Sequence, residues 1–223
     1  MKPWFEKLSA ITKNGRIDDI RVPVYAGDGE FFMNLLIGTP VVPLVVIMDT
    51  GSDLIWTQCK PCTYCFKQAT PVFNLKLSSS FSDVTCSSKI CKALRNSSCG
   101  NGCCEYLNVY GDGSTHQKGF YLGKLTFEEQ ISMPRIGFGC GVNNQVIGMN
   151  NVAGIVGLGR GTLSLVSQLG SRKFLYCFTS IGDNRSRSLL FGSLEDLNIS
   201  NGAVKSAPID KKSNSTIFLL HIS

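Results

Sequence analysis

The chain has 223 residues, a net charge of +6 and 43% hydrophobic residues, so it can form one large β domain or two small ones around a real core. Its 22 lysines and arginines are dispersed and form no basic stripe with interleaved aromatic residues, which does not favour nucleic-acid binding. No stretch is long and apolar enough to span a membrane.

Residues 1–28 are charged and lack strong periodicity. They predict an irregular segment or the remnant of a propeptide, and they contain neither the apolar region nor the cleavage site of a signal peptide. For the rest of the chain, 23 glycines and few helical periods predict many short strands joined by tight turns.

Two predicted strands flank a tight turn near the start of the β region. One strand is expected over 31–37, ending at the turn 38–40, and an unbroken apolar run over 44–48 is typical of a strand buried on both faces. The tetrapeptide Asp-Thr-Gly-Ser follows at 49–52, and the chain continues as a strand over 54–56. The Asp49 carboxylate is therefore expected on a turn between two buried strands.

The segment 59–104 is rich in cysteine and serine and predicts a loop-dominated insertion held by disulfides, with one short helix over 87–94. Such cysteine usage indicates an oxidising compartment, and a cytosolic protein with free thiols is the alternative. The sequence does not decide which of the adjacent Cys103 and Cys104 is paired. The disulfide candidates are Cys59, Cys62, Cys65, Cys86, Cys91, Cys99, Cys103, Cys104, Cys140 and Cys177.

A metal site is the competing interpretation of the first three cysteines. Cys59, Cys62 and Cys65 have the Cys-x-x-Cys-x-x-Cys spacing of some iron–sulfur ligand sets. However, Ala69 stands where a fourth ligand would be expected, and the region contains no histidine. Disulfides explain these cysteines better, and we predict no metal and no cofactor.

Four Asn-x-Ser/Thr sequons are acceptor patterns for glycosylation in the secretory pathway. They begin at Asn96, Asn184, Asn198 and Asn214. Together with the cysteines they indicate an extracellular or vacuolar protein. Because no signal peptide is recognisable, we expect the start of the protein to be missing from this sequence.

The remaining predicted elements are mostly strands, with one further helix. A hairpin is expected from a strand at 106–110, a turn at 111–114 and a strand at 119–127. A short helix over 163–169 would have Thr162 as its N-cap. Further strands are predicted over 136–140, 154–158, 174–178, 189–191 and 217–222.

Several separated motifs occur in a specific order. Apolar residues at 31–37 precede Gly-Thr-Pro, Asp-Thr-Gly-Ser lies at 49–52 and continues into Asp-Leu-Ile-Trp, and Tyr-Gly-Asp-Gly-Ser at 110–114 precedes Ala-Gly-Ile-Val-Gly-Leu-Gly at 153–159. This order resembles the N-terminal lobe of the pepsin-like (family A1) aspartic endopeptidases.

Three cysteine-containing segments narrow the resemblance. Cys-Lys-Pro-Cys-Thr-Tyr-Cys at 59–65, Phe-Gly-Cys-Gly at 138–141 and Tyr-Cys-Phe at 176–178 are similar to the plant nepenthesin-like branch of that family. The resemblance covers roughly residues 29–223.

The resemblance implies a fold and a division of the chain. It implies an all-β, pepsin-like N-terminal lobe over 29–205, with a disulfide-rich insertion and short helices. Residues 1–28 would then precede the lobe, and residues 206–223 would be the start of a truncated C-terminal lobe.

The resemblance also implies roles for the turn residues. Asp49 would be the first catalytic aspartate, Thr50 would brace the turn, and Ser52 would hydrogen-bond the Asp49 carboxylate. Gly51 permits a close approach of the backbone that a Cβ would obstruct. Without the resemblance, these residues also fit an ordinary turn between two strands.

A second group of implied residues lies on the predicted hairpin and beneath it. Tyr110 would lie on the flap, the hairpin that closes over substrate in this family, and Gly111 would give the flap its mobility. Trp56 would hydrogen-bond Tyr110 from below. The alternative for both aromatic residues is plain core packing, which is the commoner use of buried aromatic side chains.

The implied activity is hydrolysis of peptide bonds in a polypeptide substrate. In such enzymes two facing carboxylates share a proton and activate a water between them. No second Asp-Thr/Ser-Gly triplet occurs in this chain, so we expect the catalytic pair to need a missing C-terminal lobe. The alternatives are an inactive binding protein on the same fold, similar to plant xylanase inhibitors, and a homodimer that pairs two copies of Asp49.

Overall fold

The computed structural model describes residues 20–27, 29–127, 131–149, 151–170, 174–176 and 187–191. The strands are β1 (Ile20–Ala26), β2 (Phe31–Ile37), β3 (Val42–Asp49), β4 (Ile55–Lys60), β5 (Phe73–Asn74), β6 (Ser82–Asp83), β7 (Ser97–Gly100), β8 (Cys103–Val109), β9 (Thr115–Phe127), β10 (Ile131–Gln145), β11 (Gly154–Gly157), β12 (Phe174–Tyr176) and β13 (Arg187–Phe191). The helical segments are a 3₁₀ turn at Leu75–Leu77, α1 (Lys89–Lys92) and α2 (Leu165–Gln168). The all-β prediction is confirmed.

The order of the strands brings distant parts of the chain to one turn. The sheet runs β12-β13-β1-β2-β3-β11-β4-β10-β9-β8-β7. Strand β11 therefore lies between β3 and β4, parallel to the first and antiparallel to the second. Because the turn 50–54 connects β3 to β4, β11 supports this turn from a position about a hundred residues later in the chain.

The expectation that residues 1–28 lack regular structure is wrong for Ile20–Ala26, which form strand β1 between β2 and β13. Ile20, Val22 and Val24 are buried, so the strand contributes to the core. Arg21 and Pro23 alternate with them on the opposite face. Pro23 interrupts this short apolar run, and proline is disfavoured inside strands, so the sequence pattern did not predict β1.

Buried side chains form two clusters. The larger cluster packs between the central strands and includes Met33, Leu44 and Phe138. The second cluster includes Trp56 and Phe120 and lies beneath the hairpin formed by β8 and β9. The predicted site residues thus rest on a packed apolar base.

Four disulfides join cysteines of the described residues: Cys59–Cys140, Cys62–Cys65, Cys86–Cys99 and Cys91–Cys104. The first of them links β4 to β10, and the others hold the segment 59–104. None of the three cysteines at 59–65 is therefore a thiolate ligand.

The prediction that Cys103 is a disulfide candidate is wrong, because Cys103 is a free, half-buried thiol. Side chains alternate between the two faces of β8, so Cys104 is directed to the buried side where α1 places Cys91, and Cys103 is not. Cys177 lies outside the described residues.

The second helix begins later than predicted. Ser164, not Thr162, is the N-cap, since its hydroxyl accepts a hydrogen bond from the Ser167 N–H at 3.2 Å.

The predicted strand at 217–222 lies outside the described residues, and the division at residues 28 and 205 remains a prediction. Within the described ranges, no helix combines the length and the apolarity needed to cross a membrane.

Candidate active site

Asp49 is the last residue of β3 and is fixed by main-chain contacts. It is in register with Gly157 of the parallel strand β11. Its carbonyl oxygen accepts a hydrogen bond of 2.7 Å from the Leu158 N–H. The position of its Cα is therefore set by the centre of the sheet rather than by a mobile loop.

The Asp49 side chain is half-buried and is oriented by its own turn. Its Oδ1 accepts a hydrogen bond of 2.8 Å from the Gly51 N–H. A Cβ at Gly51 would lie 3.2 Å from that oxygen, so glycine suits this close approach. Thr50 is half-buried within the turn.

Ser52 does not make the hydrogen bond that we expected. Its hydroxyl is buried and has no partner of full hydrogen-bond geometry among the described residues, but its interaction with the Tyr110 hydroxyl lowers the pKa of that phenol. The Gly51 N–H takes the place expected for Ser52 at the Asp49 carboxylate. The Ser52 hydroxyl therefore lies beside the Tyr110 phenol rather than at the Asp49 carboxylate.

Asp53 is a structural residue of the site that sequence analysis missed. Its Oδ1 accepts a hydrogen bond of 2.6 Å from the Gly161 N–H, which joins the turn to the segment after β11. A Cβ at Gly159 would lie 2.5 Å from the same oxygen, and one at Gly161 would overlap the carboxylate. The alternating glycines at 157, 159 and 161 were a usable indication, because they leave room for another chain segment.

Tyr110 extends from the end of β8 over the turn 49–53. Its hydroxyl accepts a hydrogen bond of 2.7 Å from Nε1–H of Trp56, which is fully buried on β4. Burial raises the pKa of Tyr110 well above its usual range, and the negative charge of Asp49 raises it further, whereas the Trp56 hydrogen bond lowers it. The phenol is therefore neutral and stays a potential donor at every working pH.

The turn at the tip of the hairpin is closed by its own polar groups. We call β8, residues 110–114 and β9 the flap hairpin. The Ser114 N–H and hydroxyl donate to the two carboxylate oxygens of Asp112 at 2.8 and 2.9 Å. These bonds, the main-chain one first, lower the pKa of the exposed Asp112 carboxyl. Gly113 has a φ of +84°, which favours glycine at this turn position.

Two cavities lie on either side of Tyr110. One, of about 330 Å³, extends from Gly51 and Ser52 to Leu94 and Asn108. The other, of about 400 Å³, is lined by Asp49, Ile47, Ile147 and other residues. Tyr110 and Gly111 line both, so the tip of the flap hairpin lies between two neighbouring cavities, which together we call the cleft.

The predicted residues therefore meet at one place. Asp49 and Tyr110 line one cavity of the cleft, and Ser52 and Tyr110 line the other. A carboxylate in such a cleft can act as a base or acid if a partner group shares its proton.

Of the sequons, Asn96 is exposed at the rim of the first cavity, and Asn184, Asn198 and Asn214 lie outside the described residues.

Comparisons with known proteins agree with this geometry. The family model described as xylanase inhibitor N-terminal matches residues 31–193. Over 175 residues the chain is 57% identical to the aspartic proteinase nepenthesin-1 of Nepenthes gracilis, a match that covers 78% of this chain and 40% of that protein. The chain belongs to the nepenthesin-like plant aspartic proteases.

Solved structures show the same fold for the nepenthesin-like lobe at low identity. Basic 7S globulin from soybean matches with a TM-score of 0.67 and 18% identity, covering 90% of this chain and 56% of that one. The aspartic proteinase from Irpex lacteus matches with a TM-score of 0.58 and 16% identity, covering 86% of this chain and 52% of that one. The nepenthesin-like chain spans less than half of the length of the curated relatives that it matches first.

Proposed function

We propose that this chain is the N-terminal lobe of an aspartic endopeptidase, in which Asp49 is one of two carboxylates that activate water for attack on a peptide bond. One observation carries the proposal. The Asp49 carboxylate lies at the end of a central strand, inside the cleft beneath Tyr110, with one oxygen held by the Gly51 N–H and the other free of hydrogen bonds from the described residues.

The neighbouring residues would support this carboxylate and the flap. Gly51 orients the carboxylate, and Thr50 would brace the turn in the position where another lobe would face it. The Ser52 hydroxyl, which is buried and interacts with the Tyr110 hydroxyl, would help to hold that phenol in place. Tyr110 would close over the substrate, with Trp56 holding its hydroxyl from below.

The mechanism needs a second carboxylate. A lone carboxylate cannot act as base towards the water and also donate a proton to the scissile carbonyl oxygen in the same step. No second Asp-Thr/Ser-Gly triplet occurs in the 223 residues, so the partner group would come from a C-terminal lobe. The substrate would be an extended polypeptide, because the cleft continues on both sides of Tyr110.

The disulfides support an extracellular or vacuolar location. Four of them in the described residues would be reduced in the cytosol, where thiols are kept reduced. We also propose glycosylation at Asn96, which is exposed in the turn before β7.

The test is hydrolysis of an unfolded polypeptide by the protein that carries a second lobe. We expect Asp49→Asn to reduce kcat by at least about a thousandfold without changing the unfolding midpoint, as loss of a reacting group does. Asp83→Asn is the matched control, because Asp83 is an exposed carboxylate on β6. Pepstatin-sensitive hydrolysis that persists in Asp49→Asn would refute the proposal, and so would the same activity in the single lobe.

A non-catalytic binding protein is the second candidate function. The family model that matches residues 31–193 is described as a xylanase inhibitor domain, which favours this alternative. The same experiment separates the two functions. A two-lobed protein can lack peptidase activity and still bind a polypeptide or a glycosidase. If it binds equally well before and after Asp49→Asn, it is a binding protein.

A further inference from the structure

His116 is a buried polar residue that the proposed mechanism does not use. It is the second residue of β9, at the base of the flap hairpin, and its side chain is fully buried. It is in register with Asn108 of β8 on one side and Asn144 of β10 on the other. Burying an imidazole without full hydrogen bonding costs free energy, so its presence here needs a reason.

The imidazole of His116 lies against the two aromatic residues of the site. Its ring stacks on the indole of Trp56 with 3.9 Å between the ring centroids and 15° between the planes. The ring of Tyr110 is 5.7 Å away and tilted by 30°. His116 thus contacts both partners of the hydrogen bond that links Trp56 to Tyr110.

A third residue fixes the rotation of the imidazole. The hydroxyl of Tyr106 is 2.9 Å from Nδ1 of His116, and the Tyr106 ring meets the imidazole edge to face at 5.2 Å. Gly139 leaves the space for this hydroxyl, because a Cβ there would overlap it. Nε2 of His116 is buried and has no partner among the described residues, so Tyr106 supplies its one hydrogen bond.

We propose that His116 is a positioning residue of the flap: its imidazole, held by Tyr106 and stacked on Trp56, aims the indole N–H at the Tyr110 hydroxyl. An indole in a β-strand can still rotate about its side-chain bonds, and a flat ring at stacking distance restricts that rotation. His116 does not touch a polypeptide in the cleft, since it is fully buried. It acts through Trp56 and Tyr110.

The proposal is tested by the solvent exchange of the Trp56 Nε1–H, followed by nitrogen-15 NMR on the single chain. The chain has two tryptophans, and Trp56→Phe assigns the signal. The exchange rate is compared with that of a core amide, such as the Val46 N–H, so that a general loss of stability cancels. Tyr121→Phe is the control, because Tyr121 lies on the same strand and contacts Phe81 and Phe138 instead.

We expect His116→Ala to speed exchange of the Trp56 indole at least about tenfold relative to the core amide, as freeing a local hydrogen bond does. His116→Phe keeps a flat ring and loses the hydrogen bond to Tyr106, so its effect should be smaller. Tyr106→Phe should act in the same direction as His116→Phe. Indole exchange in these variants equal to that in Tyr121→Phe would overturn the proposal. If His116→Ala does not fold, the two phenylalanine variants decide.

The consequence for catalysis rests on the proposed function and has a separate readout. In the two-lobed protein, His116→Phe should lower kcat several-fold and leave KM nearly unchanged, because a misplaced flap affects the closed state more than initial binding. A change in KM alone would contradict this consequence. Absence of hydrolysis in the unaltered two-lobed protein would refute the proposed function, while indole exchange would still decide the role of His116.

Discussion

The turn at 49–53 and the flap hairpin face each other across the cleft, and they are held in different ways. Main-chain hydrogen bonds and close glycine contacts fix the turn, as with the Leu158 N–H on the Asp49 carbonyl. The tip of the flap hairpin, residues 110–114, is closed by main-chain bonds between Tyr110 and Ser114, but side chains join it to the rest of the molecule, as Tyr110 does at Trp56. Main-chain contacts leave little freedom to a reacting carboxylate, whereas side-chain contacts can open and close.

Gly157→Ala should have the largest effect, because it breaks the main-chain support of the turn. A Cβ at Gly157 would lie 2.6 Å from the carbonyl oxygen of Asp53, and neither main chain can move aside. We expect the free energy of unfolding to fall by about 3 kcal/mol. Chemical denaturation measures it.

Gly111→Ala is the matched control for Gly157→Ala. A Cβ at Gly111 meets no atom within 4 Å. Its stability should stay within about 0.5 kcal/mol of the unaltered chain. Equal losses in both variants would contradict the contrast between a rigid turn and an adjustable flap.

The buried imidazole of His116, at the base of the flap hairpin, predicts that the stability of the folded chain depends on pH. Burial lowers the pKa of His116 from 6.5 to about 3. The unfolded chain therefore binds a proton that the folded chain does not, so the stability contribution is complete above pH 6.5 and is lost as the pH falls towards 3. Tyr106 and Tyr110, the titratable groups that contact the ring, have raised pKa values and stay neutral throughout.

His116→Gln should remove this pH dependence. Between about pH 7 and pH 5, the stability of the unaltered chain should fall by about 2 kcal/mol relative to the variant. Denaturation at a series of pH values gives the difference. Parallel curves for the two proteins would show that His116 takes up a proton at the same pH in the folded and unfolded chains, which would contradict the lowered pKa.

Tyr110→Phe removes the acceptor of the Trp56 N–H. Trp56 is fully buried, so the indole donor is left without its partner, and we expect a loss of about 1–2 kcal/mol. Tyr64→Phe, at an exposed tyrosine, is the control and should be neutral. No difference between the two variants would mean that the indole finds water in place of Tyr110.

Ser114→Ala removes the side-chain contact of the flap that we expect to contribute least to stability. The buried Ser114 hydroxyl donates to Asp112 and accepts from the Ile147 N–H at 3.1 Å. We expect a loss of about 1 kcal/mol, accompanied by faster amide exchange at 110–114. Amide exchange that rises equally at 49–53 would contradict the separate support of the two regions.

The sequence predicts well what neighbouring residues determine. The apolar run before Asp49 predicted β3 and its turn, and the Tyr-Gly-Asp-Gly-Ser segment predicted the hairpin. It failed where the partner is remote. Asp53 meets Gly161, 108 residues away, and β1 pairs with β13, so neither follows from local patterns.

The error at Ser52 and the omission of His116 share a cause. The resemblance implied that Ser52 donates a hydrogen bond to the Asp49 carboxylate. In the structure the donor is the Gly51 N–H. A single histidine on a strand gives no periodic pattern. Only the fold, which brings His116 of β9 onto the indole of Trp56 of β4, shows that the two rings stack.

The most direct test of the central claim is covalent labelling of the two-lobed protein with a small epoxide, which a reactive carboxylate opens to form an ester. Peptide mapping by mass spectrometry then identifies the modified residue. The account predicts that inactivation accompanies an ester on Asp49 and that pepstatin prevents both. Inactivation with the ester on Asp53, or on any other carboxylate of this chain while Asp49 stays unmodified, would contradict it.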